Sequence, residues 1–133
     1  MFQHIDEKKA LLDAHRPLPT YALKSLEEKL LVEWTYNSNA IEGNTLTIQE
    51  TKVVLEGITV GGKTMREHLE VINHRDAIHF VEDIVRKEDA LSQWQIKNLH
   101  RLILKGIHDD YAGVYRDQQV FISGAVHTPP PPF

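Results

Sequence analysis

Ser38-Asn-Ala-Ile-Glu-Gly-Asn44 decides how the first half of this chain is read. Upstream of it, Leu23, Leu26, Leu30 and Trp34 recur at i, i+3, i+7 and i+11, the spacing of one face of an α-helix. If the helix continues through the quoted stretch, Trp34, Ser38 and Glu42 fall on one i+4 row. Gly43 then ends it as a left-handed cap. Glu42 sits in the last turn of that helix, where a carboxylate faces the negative end of the dipole at a cost of about 0.3–1 kcal/mol. Lys, Arg or an apolar side chain would suit the place better, and a residue that breaks local rules on an apolar row is a candidate functional position. Two readings fit. Either Glu42 turns into water and Gly43 merely stops the helix, or Glu42 awaits a cation, for which a bidentate guanidinium is the best match.

Working outward, a first helix is expected from Phe2 to about His15, with Arg16-Pro17-Leu18-Pro19 as its exit. The second begins near Pro19 or Thr20, since proline suits a first helical turn. Three capping boxes follow: Thr47-Ile-Gln-Glu50, Thr64-Met-Arg-Glu67 and Ser92-Gln-Trp-Gln95. They open helices of which the second runs to about Lys87 and the third ends at Gly106. Gly57-Ile-Thr-Val-Gly-Gly62 reads as a glycine-rich connection, and no nucleotide site is expected there.

Beyond Gly106 the pattern changes. Gly113 to Gly124 is rich in β-branched and aromatic residues with a polar break at Asp117-Gln118-Gln119, the pattern of a short two-stranded hairpin. Its free edge would be a template for an added strand. The alternative is a purely structural hairpin with Val120 and Ile122 turned inward. Thr128-Pro-Pro-Pro-Pro-Phe133 reads as an extended connector. The fold class expected is mainly α: a bundle of about five helices with a short β-hairpin near the C-terminus. Residues 1–90 are expected to form an N-terminal helical region and residues 91–133 the start of a further domain that carries the hairpin.

Bulk properties narrow the function. A net charge of −4 and a pI near 6.0 give no broad electrostatic reason to expect nucleic acid or an anionic membrane as partner. The absence of cysteine excludes disulfides and thiolate zinc sites. The start, MFQHIDEKKALLDAH, has no apolar core of a signal peptide, so the cytoplasm is the expected location. His68, His74 and His79 do not give an i, i+4 pair, and Glu70 with His74 lacks a third ligand; no metal site is expected, and solvated polar-face histidines fit better. Trp34 and Trp94 lie in apolar helical stripes and read as core residues.

Ser38-x-x-x-Glu42-Gly43 also resembles the inhibitory motif of Fic proteins, written as Ser or Thr, three variable residues, Glu, then Gly or Asn. Val32 to Thr47 is similar to the segment of Fic proteins whose inhibitory helix precedes the catalytic domain, and Glu67 to Ala77 to their next long helix. Leu99 to Pro132, with Ala112-Gly-Val-Tyr-Arg116, Val120-x-Ile-Ser-Gly124 and His127-x-Pro-Pro-Pro, resembles the opening of the Fic domain and its flap. The resemblance implies the N-terminal portion of a Fic/DOC-family protein adenylyltransferase, an incomplete Fic fold. Such enzymes move AMP from ATP, with Mg²⁺, onto a hydroxyl side chain of a target protein. By this resemblance Ser38, Glu42 and Gly43 form the inhibitory motif, Glu42 pairing with the last arginine of the catalytic motif. Val120, Phe121 and Ile122 would be the target-docking flap.

The catalytic motif itself, His-x-Phe-x-Asp/Glu-Gly-Asn-Gly-Arg-x-x-Arg, does not occur in these 133 residues. No catalytic residue and no cofactor is therefore assigned to the chain, and a fragment inactive by itself is the leading expectation. The alternative is an inhibitory partner that supplies Glu42 in trans to another Fic protein. A half-built domain should also expose apolar surface, which favours a homo-oligomer.

Overall fold

A computed structural model describes residues 2–132. Helices α1 (Gln3–Ala14), α2 (Thr20–Ile41), α3 (Ile48–Leu55), α4 (Met65–Arg86) and α5 (Gln93–Leu104) follow in order, then a single 3₁₀ turn at Asp109–Tyr111. The three capping boxes open α3, α4 and α5 as the sequence predicts. Thr47 N–H donates to Glu50 Oε2 at 2.7 Å, Thr64 N–H to Glu67 Oε2 at 2.8 Å, and Ser92 N–H to Gln95 Oε1 at 2.8 Å. Each closes a reciprocal pair that satisfies otherwise orphaned donors of a first turn.

Helix α4 is the centre of the packing. It lies against α2, α3 and α5, while α1 packs against no other element among the described residues. Among the described residues the buried apolar set is small: Leu46, Val54 and Val71, flanked by Leu55, Val60 and Ile72, with Ala77 and Ile78 farther along α4. Full burial of a side chain such as Val54 or Val71 contributes about 1.5–3 kcal/mol, so few residues carry much of the hydrophobic stabilisation. Polar residues reinforce the contacts. The Thr35 hydroxyl and His74 Nδ1 lie 3.1 Å apart, joining α2 to α4. Burial lowers the pKa of His74 from its ordinary 6.5, which favours the neutral imidazole there.

Buried Asn73 of α4 donates to the carbonyls of Ile103 and Lys105, at 3.1 and 2.8 Å. It satisfies carbonyls at the end of α5 that have no partner within the helix. Asn73→Ala leaves both without this donor and should lower stability by about 1–3 kcal/mol, read as a shift of the urea midpoint.

Three expectations are corrected. The α2 stripe is open: Leu26 and Leu30 are about half exposed and Trp34 is 57% exposed, because α2 buries Thr35, on a neighbouring face. Trp94 is likewise 65% exposed, touching Phe80 at its rim with ring centroids 6.3 Å apart. His68 and His74 are packed rather than solvated. His68 accepts the Val60 N–H at Nε2 (2.9 Å), and its Nδ1 lies 2.7 Å from Thr64 O, the pattern of an imidazole protonated at Nδ1.

The third correction is the hairpin. Among the described residues there is no strand, and Gly113 to Gly124 runs as irregular chain. Its neighbour is the proline run, which has no N–H groups to offer a ladder. Side chains bridge the two instead: Arg116 Nη2 donates to Pro130 O, and Gln119 Nε2 to Pro129 O at 3.1 Å.

Candidate functional site

The end of α2 is held by its backbone. Gly43 N–H donates to Ala40 O and Asn44 N–H to Asn39 O, at 3.1 and 3.0 Å. These are the two bonds of a Schellman cap, with Gly43 at φ +94°. Glu42 is therefore the capping residue just after Ile41 and not part of the last turn, as the sequence pattern suggested.

Asn44 ties this cap to α4. Its Nδ2 donates to Glu67 O at 3.1 Å and Glu70 Oε2 at 2.9 Å, while its Oδ1 accepts Leu46 N–H at 3.0 Å. Glu70 also accepts from Arg66 Nε at 2.9 Å, so its partners are Asn44 and Arg66, not the His74 one turn on. Next to it, Glu67 gathers Thr45 and Thr64. Oε1 takes the Thr45 N–H and hydroxyl at 3.0 and 2.5 Å, and Oε2 takes those of Thr64 at 2.8 and 2.9 Å. Lys63 Nζ closes the cluster on Thr45 O at 2.5 Å.

The Thr45 hydroxyl, then the Thr64 backbone, pull the Glu67 pKa from its ordinary 4.5 to about 2. A depressed folded-state value means the carboxylate form stabilises the fold above pH 4.5, and that contribution is lost as pH falls towards about 2. Urea midpoints measured across this window should fall with acidification, and Glu67→Gln should flatten part of the slope.

Within this frame the candidate residues sit as follows. Ser38 is half-buried on α2. Glu42 is exposed, and no hydrogen bond or ion pair to its side chain occurs among the described residues. Gly43 faces open space. The cap thus presents an unneutralised carboxylate on a fastened helix end. Val120, Phe121 and Ile122 lie elsewhere and are exposed, so the inward packing of a structural hairpin is not what they adopt. Their N–H groups donate no hydrogen bond among the described residues. Asn44 was not singled out from sequence, Glu67 only as a capping residue and Glu70 only beside His74; an Asn directly after the capping glycine was the available signal, but the partners of its Nδ2 stand more than 20 residues away.

Comparison with known proteins places this geometry. No protein-family model matches the sequence. The chain is 35% identical over 134 residues to the protein adenylyltransferase Fic of Nematostella vectensis, across 99% of its own length and 31% of that protein's. It is 31% identical over 133 residues to the protein of the same name from Aedes aegypti, across 98% and 26%. Its structure superposes with a TM-score of 0.81 and 28% identity on a Fic domain containing signaling protein from Bacteroides thetaiotaomicron, covering 90% of this chain. The chain is a Fic-family protein. A second Fic structure, Fic-1 from C. elegans, superposes at a TM-score of 0.75 with 32% identity over 85% of the chain. These 133 residues span between about a quarter and a third of the curated Fic relatives, and 46% and 36% of the two solved Fic chains.

Proposed function

We propose that this chain is the regulatory and target-facing portion of a self-inhibited protein AMP-transferase, which moves AMP from ATP to a Ser, Thr or Tyr hydroxyl. The observation that carries the reading is Glu42: an exposed carboxylate without a partner, on a cap fastened to α4 through Asn44. A carboxylate so placed is preorganised for a bidentate arginine, because the helix end is ordered before the pair forms. The resemblance to Fic adenylyltransferases implies the arginine, in a catalytic motif that these residues do not contain. Ser38 and Gly43 support the brake, one on the inner side of α2 and the other by ending it. ATP and Mg²⁺ belong to the catalytic portion, and this chain alone transfers no AMP.

Val120, Phe121 and Ile122 serve the target. With their N–H groups free, an extended target segment can pair its backbone along them. Ile122→Pro removes one donor and should lower transfer to a protein target while leaving ATP binding by the catalytic portion unchanged.

The same exposure of Glu42 favours a second reading, in which the chain inhibits another Fic protein in trans. Adding the chain to an active Fic enzyme with labelled ATP tests both. Inhibition that disappears with Glu42→Gly supports the brake; inhibition that persists in that variant rules out Glu42 as its source.

A further inference from the structure

Helix α1 has no buried residue and packs against no other element among the described residues. A 12-residue helix is marginal in water unless an apolar face is covered, so α1 calls for a partner surface. Its composition says which kind. Ile5 and Leu12, seven residues apart, share one face, and Lys8 and Lys9 flank that face on its two sides. Asp6 and Glu7 lie farther round the helix.

A surface of matching character exists on α2 and α4. A groove of about 380 Å³ runs between them, floored by Leu30, Trp34 and Ile78. Its rim carries Glu27, Glu28 and Glu82. Lys24 is also at the rim, 4.0 Å from Glu28, and Lys9 of α1 lies 3.3 Å from Asp13; both are exposed pairs of little net worth, easily exchanged for others. This is the groove left open where the α2 stripe failed to be covered. An apolar stripe between two lysines thus meets an apolar floor between glutamates.

We propose that α1 of one copy lies in the α2–α4 groove of a second copy, and reciprocally, giving a symmetric dimer by helix exchange. In its own chain, α1 makes no contact with α2 or α4 among the described residues. The inference rests on surface complementarity and does not depend on the AMP-transferase reading.

Charge exchange in the 133-residue chain tests it. Lys8→Glu with Lys9→Glu makes α1 acidic; Glu28→Lys with Glu82→Lys makes the groove basic. All four residues are exposed, so each variant should keep its helical circular dichroism. The wild-type chain should be a dimer in light scattering, and each double variant alone should dissociate at least about tenfold more readily. Mixed together, the two variants should form a heterodimer, since both α1–groove contacts then join opposite charges. A monomeric wild type, or a mixture that stays monomeric, overturns the proposal. A second measurement separates the two copies. The chain has no cysteine, so Leu12→Cys with Leu30→Cys can bridge only these positions. Oxidation should give a covalent dimer on a denaturing gel; a cross-linked monomer would place α1 in its own groove and refute the exchange.

Discussion

A polypeptide that joins this chain to a Fic catalytic loop should gain AMP transfer by about ten- to a hundredfold when Glu42 becomes Gly. The magnitude follows from one pair. A hydrogen-bonded carboxylate–guanidinium contact is worth about 1.5–3 kcal/mol, and each 1.4 kcal/mol is tenfold in the population of the released state. The proposed brake is preorganised by its frame: Gly43 and Asn44 fix the helix end, so little ordering is left to oppose a pair with Glu42. Glu42→Gln, which keeps the shape and loses the charge, should release only part of the inhibition. Because Glu42 is exposed and unpaired, neither change should move the melting temperature much. Labelled AMP incorporated into a target protein is the readout. Equal incorporation by wild type and Glu42→Gly would remove the brake from the account.

The helices were legible because their ends are local events. A Thr47 or Thr64 hydroxyl finds its Glu three residues on, and Gly43 closes the Schellman cap within six residues, so neither needs the rest of the fold. Burial was less legible. The stripe through Leu26, Leu30 and Trp34 is a correct face of a helix, but periodicity states that an apolar face exists and not what covers it. The same holds for Trp94. The hairpin at Gly113–Gly124 failed for a related reason. β-branched residues favour extended chain, whereas a ladder needs N–H and C=O partners, and the chain beside Arg116 and Gln119 is proline. The asparagines show the limit most clearly. Asn73 and Asn44 reach carbonyls or carboxylates more than 20 residues away, and no pattern within a window of one helix reveals such partners.

Gly113→Ala should be the most damaging single glycine change in the chain, costing about 2–4 kcal/mol. After the 3₁₀ turn the chain folds back on α5, and Gly113 is buried there, donating its N–H to His100 Nδ1 at 3.1 Å. A Cβ added at Gly113 would stand 2.9 Å from Lys97 O and 3.2 Å from the Arg101 guanidinium. The Arg101 side chain can swing aside. The Lys97 carbonyl cannot, because it belongs to the backbone of α5. A φ of +77° adds the cost of a left-handed conformation, about 1–2 kcal/mol for an alanine. The strain falls on the link that sets Lys97 over the Tyr115 ring, 4.5 Å from its centroid, and that leads into Val120–Ile122. Gly43→Ala is the matched control: φ there is +94°, yet a Cβ would meet nothing within 4 Å. It should show the conformational cost alone. Urea midpoints of the two variants separate the effects, and hydrogen exchange at Gly113 reports whether the segment beyond it detaches first. If Gly113→Ala proves no worse than Gly43→Ala, the close approach to Lys97 is not what holds the C-terminal segment on α5.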